Sequence, residues 1–423
     1  MSNIIPFRGF LYNKQLVKIE DVAAPPYDVI TAEERVNLIR KSEYNITRLI
    51  LPEEKNDSDI VDKYVQAARQ IHRWTDNKII VKDQDPSFYV YTQDYEYKGE
   101  KKIRLGFIGL LEIEELSNKN VYPHEYTFDA PREDRFKLLA ETKTNLSPIF
   151  ALYTNDQGEI RRLFFENINR ECPYFEVFDE NNVRHRLWAV SDRVVLDKVV
   201  SLMQDKEIFI ADGHHRYEAA RMYYEHRRRT DKKGQDTNRY NYVMMCFVGL
   251  GDEGLMISPT HRLIKKDVDL SELNRQLKDY FNIDEKRDLK DMLNELAACA
   301  DIAIGMYSLQ GFFLLRLKDQ TVLADLMQDV PAIWKKIDTA VLNKVILEKI
   351  INVSIKDRES IEFSNLAEKA VKSVDEGKSK VCFFLNPAKS SKLQEIAISG
   401  ERMPEKSTYF YPKLLSGLVI NRF

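Results

Sequence analysis

Apolar residues near the start of the chain recur every three or four positions, which places them on one face of a helix. The residues that follow this spacing are Ile60, Tyr64, Ala67, Ile71 and Trp74. Asp57 or Ser58 precedes the run and supplies a helix cap. A shorter helix is predicted after Thr31, because Glu34 stands three positions further on and completes a capping box. The first region therefore contains helices.

Alternating apolar and polar residues follow in SFYVYTQDYEY and KKIRLGFIGLLEI, on either side of Lys98-Gly99-Glu100. This period of two and the central glycine predict an antiparallel hairpin. A helix is expected near residues 132–141 and a strand in SPIFALY, whereas the charged stretch at about 155–192 is expected to be less regular. The run from helix VVLDKVVSLMQ through strand EIFIA to helix RYEAARMYYEHRRR indicates a mixed α/β arrangement.

The C-terminal third changes to charged, amphipathic segments. Helices are predicted in SELNRQLKDYF, DLKDMLNELAACA, PAIWKKIDTAVLNKVILEKI and NLAEKAVKSVDEG, with a hairpin around Gly311 and a strand in KVCFFLN. A length of 423 residues favours two or three domains. We expect an N-terminal α+β region at 1–118, a core at 119–265 with an insertion at about 155–190, and a C-terminal α+β region at 266–423.

Composition excludes several classes of function. The net charge of −3 gives no basic surplus, so nucleic acid is not an expected partner. No stretch approaches the roughly 18 apolar residues of a membrane span, and no signal peptide is recognisable. The four cysteines are far apart without a CxxC pair, which argues against a zinc site and fits a reducing, cytoplasmic location.

The strongest chemical signal is the segment Asp212-Gly213-His214-His215-Arg216, directly after the apolar run 208–211. A helix that begins here presents N–H groups and the positive end of its dipole to an anion. Arg216 adds a planar fork suited to phosphate oxygens, and Asp212 is placed to hold Mg²⁺ or a substrate group. His214 and His215 could stabilise a phosphoryl group or move a proton. The alternative is a capping aspartate beside two solvated histidines, but five polar residues after a buried strand favour the functional interpretation.

A second candidate lies upstream, in YPHEYTFDAPREDRFKLL. His124 and Glu125 stand in a loop before an amphipathic helix that contains Arg135, and a carboxylate there could take a proton from an attacking alcohol. The competing interpretation of Glu125 is an exposed loop carboxylate.

ADGHHRYEAA resembles the phosphate-binding segment of the ParB and sulfiredoxin superfamily, and its double histidine is most similar to the free-serine kinases of that superfamily. The whole chain, from PFRG and AAPPYDVI through SPTHRLI to MPEKSTYFYPK, resembles the longer relatives grouped as domain of unknown function 1015. The resemblance implies a ParB/sulfiredoxin-like nucleotide-binding core with an N-terminal extension and a C-terminal α+β region. The kinase resemblance covers only a middle portion of the chain.

By that resemblance the protein transfers a phosphoryl group from ATP or ADP, with Mg²⁺, to the hydroxyl of a small metabolite, with L-serine as the first candidate. The order His124-Glu125, helix, Ser147-Pro148-Ile149, double histidine matches the kinases and makes Glu125 the expected base. The chain departs from them by about sixty residues between SPIF and DGHHR, where the small kinases have a short connection. Such an insertion could reshape the serine pocket or add a different acceptor site.

Several further residues are weaker candidates for substrate contacts. Tyr27 and Asp28 follow a rigid double proline, His261 and Arg262 lie at a strand end, and Lys406, Ser407 and Thr408, with Lys413, gather cations and hydroxyls. Each of these segments has a purely structural alternative. Two other functions stay open: a non-catalytic nucleotide-binding regulator, and a phosphatase or nucleotide hydrolase that uses the same phosphate site. A homodimer is compatible with the sequence.

Overall fold

A computed structural model describes residues 3–53, 62–97, 99–113, 120–123, 125, 127, 129–154, 157–230, 238–324 and 326–423. The chain forms two compact units. The first contains residues 1–123, 127–256 and 412–423, and the second contains residues 124–126 and 257–411. These units do not coincide with the expected regions 1–118, 119–265 and 266–423. One sheet joins strands from the first two regions, and residues 412–423 return to the first unit.

The first unit contains eight of the described α-helices. They are α1 (Ile19–Val22), α2 (Ala32–Lys41), α3 (Thr47–Ile50), α4 (Lys63–Asp76), α5 (Asp129–Thr142), α6 (Glu159–Asn167), α7 (Arg193–Met203) and α8 (His214–Thr230), with a 3₁₀ turn at Asn238–Asn241. The described helices of the second unit are α9 (Leu270–Tyr280), α10 (Leu289–Ala298), α11 (Asp338–Val341), α12 (Ala367–Asp375) and α13 (Ser390–Ile398), with 3₁₀ turns at Gln320–Leu323 and Ala332–Lys336.

The described strands follow in chain order. They are β1 (Ile4–Ile5), β2 (Phe10–Tyr12), β3 (Ile80–Lys82), β4 (Phe88–Tyr97), β5 (Glu100–Glu112), β6 (Val121–Pro123), β7 (Thr144–Asn145), β8 (Ile149–Tyr153), β9 (Phe175–Phe178), β10 (Arg184–Val190), β11 (Ile208–Asp212), β12 (Tyr242–Gly249), β13 (Met256–Ser258), β14 (His261–Ile264), β15 (Phe281–Lys286), β16 (Ala303–Ser308), β17 (Gly311–Leu317), β18 (Ile361–Ser364), β19 (Val381–Phe384), β20 (Tyr409–Tyr411) and β21 (Asn421–Arg422).

A nine-stranded mixed sheet organises the first unit. Its strand order is β6-β11-β8-β12-β5-β4-β10-β9, and β1 pairs with β5. The β6–β11 and β8–β12 pairs are parallel, whereas the β4–β5 hairpin is antiparallel as predicted. Apolar side chains of the sheet and its helices form one buried cluster that includes Phe107, Phe164 and Phe247. The predicted mixed α/β class is confirmed. None of the described helices is long and apolar enough to cross a membrane.

Local sequence signals fixed several element ends correctly. Thr31 and Glu34 form the predicted capping box of α2. The second predicted helix is α4, which Asp62 caps, while Asp57 and Ser58 lie outside the described residues. The stretch at about 155–192 is more regular than expected, because its described part contains α6, β9 and β10. Strand β10 alternates on a period of two around the buried His185, a pattern that its charged residues obscured.

The second unit is built on a six-stranded antiparallel sheet, ordered β15-β17-β16-β19-β14-β18. Its two faces carry separate apolar clusters. Ile264 and Phe383 belong to one cluster, while their neighbours Leu263 and Phe384 belong to the other. Successive side chains of a strand point to opposite faces, so this sheet is covered by apolar residues on both sides.

The segment predicted as a single helix at 331–350 has three different backbone geometries. A 3₁₀ turn at Ala332–Lys336 and helix α11 lead into a π-helix over Leu342–Ile350. The apolar spacing predicts helix but does not distinguish these forms. Five of the nine residues in the π-helix are buried, so it is part of the core of the second unit.

Candidate functional site

The predicted strand–turn–helix at Asp212–Arg216 is present in the first unit. Strand β11 ends at Asp212, Gly213 has φ of 92°, and α8 begins at His214. The pairing of β11 with β8 shifts register between Ile210 and Asp212, and such bulges re-aim side chains at the end of a strand. Gly213 is required twice: its φ is in the left-handed region, and a Cβ would lie 2.8 Å from the Arg216 guanidinium.

Asp212 lies between two cations. Its Oδ1 accepts a hydrogen bond from Lys413 Nζ at 2.7 Å, and its Oδ2 accepts one from Arg216 Nη2 at 3.1 Å. The three side chains are only 13–17% exposed. Burial alone would raise the pKa of Asp212, but the charges of Lys413 and Arg216 outweigh it and hold that pKa well below its ordinary value. The carboxylate is therefore ionised throughout the physiological range.

Arg216 connects the turn to the neighbouring strand. Its Nη1 donates to the Pro148 carbonyl at 2.6 Å, just before β8. Arg216 thus also fixes the geometry of the turn. Its predicted contact with phosphate stays a prediction. His214 is 7% exposed and adds to the positive charge that Asp212 experiences, while His215 is partly exposed.

Tyr27 and Arg135 stack beside this turn. The Arg135 guanidinium lies 4.1 Å from the centroid of the Tyr27 ring and donates to the Ile50 carbonyl at 2.7 Å. Burial raises the pKa of Tyr27 to about 12, although the charge of Arg135 opposes the shift. Tyr27, Arg135 and Arg216 line a cavity of about 60 Å³, which has room only for water molecules. Asp28 is exposed in the adjacent turn.

A buried polar network holds the segment that carries Lys413. Gln93 Nε2 donates to the Lys413 carbonyl at 2.9 Å, and Arg104 donates to Gln93 Oε1 at 3.0 Å and to the Pro412 carbonyl. The Tyr91 hydroxyl accepts from the Leu415 N–H at 3.3 Å. Arg104 is only 1% exposed, and hydrogen bonds in such a low-dielectric interior are strong. This network therefore fixes the position of the Lys413 backbone.

The same network ends at a buried histidine. His185 Nδ1 lies 2.6 Å from the Tyr91 hydroxyl, and its Nε2 lies 3.3 Å from Asp179 Oδ2. Burial lowers the pKa of His185. The sequence did not predict a role for Gln93, Arg104 or His185. The signal that could have found them is a polar residue at a strand position whose neighbours two residues away are apolar and face the core.

In the second unit, Glu125 is brought together with other candidates from the sequence. Its Oε1 accepts from Thr408 Oγ1 at 3.2 Å, and its backbone carbonyl accepts from Arg402 Nη1 at 3.4 Å. Burial lowers the pKa of Arg262 to about 9, and the negative charge of Glu125 opposes that shift. Glu125, Arg262 and Thr408 therefore form one electrostatic group, while His124 lies outside the described residues.

Arg262 and its neighbours also have structural partners. Arg262 is fully buried and donates to the Lys406 carbonyl at 3.0 Å, and the Ser407 hydroxyl donates to the Pro404 carbonyl. The ring of His261 packs against Phe384 and accepts from the Leu385 N–H at 3.4 Å. Burial and then the charge of Arg262 lower the pKa of His261 to about 4, so this ring is neutral at pH 7.

The first unit offers Mg²⁺ a single carboxylate at the turn. Both oxygens of Asp212 already accept hydrogen bonds from cationic groups. No cluster of three or more histidine, cysteine, aspartate or glutamate residues with metal-site geometry occurs within the described ranges. The arrangement therefore does not fit a magnesium ion held by Asp212 while Lys413 and Arg216 keep these contacts.

Comparison with known proteins gives a family and distant structural neighbours. Residues 4–340 match the family model described as "Protein of unknown function (DUF1015)". No curated protein matches the chain.

Among solved structures, a conserved hypothetical protein from Pyrococcus furiosus is 12% identical, with 70% of this chain and 89% of that chain covered and a TM-score of 0.35. A mutant free serine kinase in complex with ADP is 14% identical, with 75% and 91% covered and a TM-score of 0.38. SbnI with a C-terminal truncation, from Staphylococcus aureus, is 10% identical, with 73% and 85% covered and a TM-score of 0.35. These likenesses do not by themselves transfer a ligand or an activity.

Proposed function

The chain belongs to the family described as "Protein of unknown function (DUF1015)". For this family member we propose the activity of a phosphotransferase that binds ATP or ADP through the turn at Asp212–Arg216. The proposed reaction moves a phosphoryl group to the hydroxyl of a small metabolite, with L-serine as the first acceptor to test. The protein is proposed to act in the cytoplasm and without nucleic acid.

One observation carries the proposal: the carboxylate of Asp212 is held between Lys413 and Arg216 at the start of a 17-residue helix. Two cations against one anion leave a net positive charge, to which the N-terminal end of the helix dipole adds. Phosphate groups are the ligands that favour such an arrangement. Phosphoryl transfer depends mainly on positioning and charge stabilisation, so these residue types suit it.

Each residue has a distinct proposed role. Lys413 and Arg216 donate to phosphate oxygens, and Asp212 keeps both cations in place before the nucleotide arrives. His214 or His215 stabilises the phosphoryl group during transfer. Glu125 as the general base is a proposal that rests on the order of motifs in the sequence. Tyr27, Asp28 and Arg135 are proposed to support the substrate side of the same site, and Mg²⁺ is proposed to enter with the nucleotide.

The test has two parts, with the purified full-length chain throughout. Calorimetric titration with ATP and ADP, with and without Mg²⁺, measures binding, and we expect Lys413→Met to weaken it about tenfold to a hundredfold because a charged hydrogen bond to phosphate is lost. Mass spectrometry then detects O-phosphoserine after incubation with L-serine. Nucleotide binding without product from a panel of small alcohols would indicate a regulator, and release of inorganic phosphate would indicate a hydrolase. Absence of nucleotide binding would refute the proposal.

A further inference from the structure

Three polar residues form a row across adjacent strands of the nine-stranded sheet. Gln93 of β4 lies directly opposite Arg104 of β5 on one side and His185 of β10 on the other. Each of the three residues is 1% exposed. Side chains that are directly opposite on neighbouring strands point to the same face, so this row crosses a single face of the sheet. We refer to Gln93, Arg104 and His185 as the polar row.

The other face of the same three strands carries the apolar core of the first unit. Val90 of β4, Leu105 of β5 and Trp188 of β10 belong to its buried cluster. Each is an odd number of positions from the polar-row residue on its own strand, and successive side chains of a strand alternate between the faces. Burial of a polar group is costly unless it is hydrogen-bonded. The polar row therefore requires hydrogen-bond partners on its own face.

The main chain at residues 412–413 supplies those partners. Gln93 Nε2 donates to the Lys413 carbonyl at 2.9 Å, and Arg104 donates to the Pro412 carbonyl. Arg104 Nε also donates to Gln93 Oε1 at 3.0 Å, which directs the amide nitrogen of Gln93 towards Lys413. The same nitrogen lies 3.4 Å from His185 Nδ1. Because the row contacts carbonyl groups, it fixes where the chain lies and does not select its side chains.

The position of this main chain matters because of the side chain that it carries. Lys413 Nζ donates to Asp212 Oδ1 at 2.7 Å, at the turn that precedes α8. The four-carbon stem of a lysine is flexible, so the position of the ammonium group depends on where the backbone of residue 413 is held. A displacement of about 1 Å at a binding or reacting group can cost up to about a hundredfold in function.

We propose that Gln93 is a positioning residue for the phosphate-binding turn. Its amide fixes the Lys413 carbonyl and thereby sets the affinity of the turn for nucleotide phosphates. This inference rests on the proposed function, in which Lys413 donates to phosphate oxygens. Gln93 acts through Lys413 and does not contact the nucleotide. A residue with a purely structural role would affect binding equally with and without the Lys413 ammonium group.

Calorimetric titration of the full chain with ATP and ADP measures this dependence. We expect Gln93→Leu to weaken binding about threefold to tenfold, the value of one net hydrogen bond, and to have no further effect when combined with Lys413→Met. An equal loss in both backgrounds would overturn the proposal, as would unchanged binding by Gln93→Leu.

Thr92→Val is the matched control for this titration. Thr92 precedes Gln93 on β4, is buried on the other face, and within the described ranges its Oγ1 has no hydrogen-bond partner. Its replacement should leave nucleotide binding unchanged. Gln93→Glu is a second test variant, because glutamate keeps the acceptor for Arg104 but has no N–H group for the Lys413 carbonyl. It should weaken binding as Gln93→Leu does, and it takes the place of that variant if the leucine variant does not fold.

A second measurement needs no nucleotide. Acetic anhydride acetylates amines, and mass spectrometry reports the rate at each lysine. Gln93→Leu should raise the rate at Lys413 about threefold to tenfold. The rate at Lys63, a partly buried lysine of the same unit that is paired with Asp134, should not change. An unchanged rate at Lys413, or an equal increase at both lysines, would refute the positioning role. Wild type that binds no nucleotide would refute the proposed function, whereas the acetylation rates decide whether Gln93 positions Lys413.

Discussion

Replacing Lys413 by methionine tests the central ion pair of the first unit. Methionine keeps the length and apolar body of the side chain but removes the ammonium group that donates to Asp212 at 2.7 Å. Asp212 then retains Arg216 at 3.1 Å as its remaining ion-pair partner at the turn. The carboxylate is 17% exposed, so water compensates only part of the lost interaction.

The expected loss is about 2 kcal/mol in the free energy of unfolding, which is within the range for a hydrogen bond to a charged group and below that for breaking a fully buried ion pair. For a unit of this size this corresponds to a fall of about 4–8 °C in Tm. The lowered pKa of Asp212 fixes the sign of the pH dependence. Its stabilising contribution is complete above the unfolded-state pKa of about 4 and is lost as the pH falls through the lowered folded-state pKa, so the difference from wild type should shrink only well below pH 4.

The assay is urea unfolding of wild type, Lys413→Met, Asp212→Asn and the double variant at pH 7 and at about pH 2. The double-mutant cycle should give a coupling energy above about 1 kcal/mol at pH 7. As a control, Lys372→Met removes one partner of an exposed helical pair with Glu376 and should leave Tm unchanged. A coupling energy near zero at pH 7, or a difference that grows in acid, would refute the assignment.

Three further predictions concern other parts of the two units. Gly213→Ala should destabilise the first unit more than Gly377→Ala destabilises the second, because both have positive φ but only Gly213 has the Arg216 guanidinium within 3 Å of an added Cβ; thermal unfolding of both variants measures the difference. In wild type the His261 ring has a pKa of about 4, so between pH 6.5 and pH 4 it stays neutral in the folded protein but gains a proton on unfolding. This difference should lower the free energy of unfolding by about 3 kcal/mol as the pH falls from 6.5 to 4. In His261→Asn that pH-dependent loss should be absent, which urea unfolding at the two pH values measures. Glu125→Gln should abolish turnover but not nucleotide binding, and unchanged turnover would exclude Glu125 as the base.

The sequence predicted what depends on neighbours along the chain. The capping box of α2, the β4–β5 hairpin and the turn after β11 each follow from residues within a few positions of one another. The π-helix was beyond this reasoning, because the apolar spacing that predicts a helix does not decide which carbonyl each N–H contacts. The strands of the 155–192 stretch were missed because charged residues occupy the outward positions of their alternation, which made the stretch look uniformly charged.

The partners of the candidate residues were harder to predict. Lys413 was a weak candidate because it follows a short segment of cations and hydroxyls. In the structure it contacts Asp212, which lies 201 positions earlier in the chain. Glu125 and Thr408 are 283 positions apart. Contacts at such separations depend on the complete fold, and no local pattern encodes them. The sequence therefore identified individual candidate residues, and the structure shows which of them are in contact.

The long separation between Asp212 and Lys413 has a consequence for synthesis of the protein. A ribosome adds about 5–20 residues each second, so the turn emerges roughly 10–40 s before the lysine that forms an ion pair with Asp212. Throughout that interval Gln93 and Arg104 also lack the carbonyl groups of residues 412 and 413. The polar network around Lys413 can therefore be completed only after the whole second unit has been made, although every strand of the nine-stranded sheet has been synthesised by Gly249.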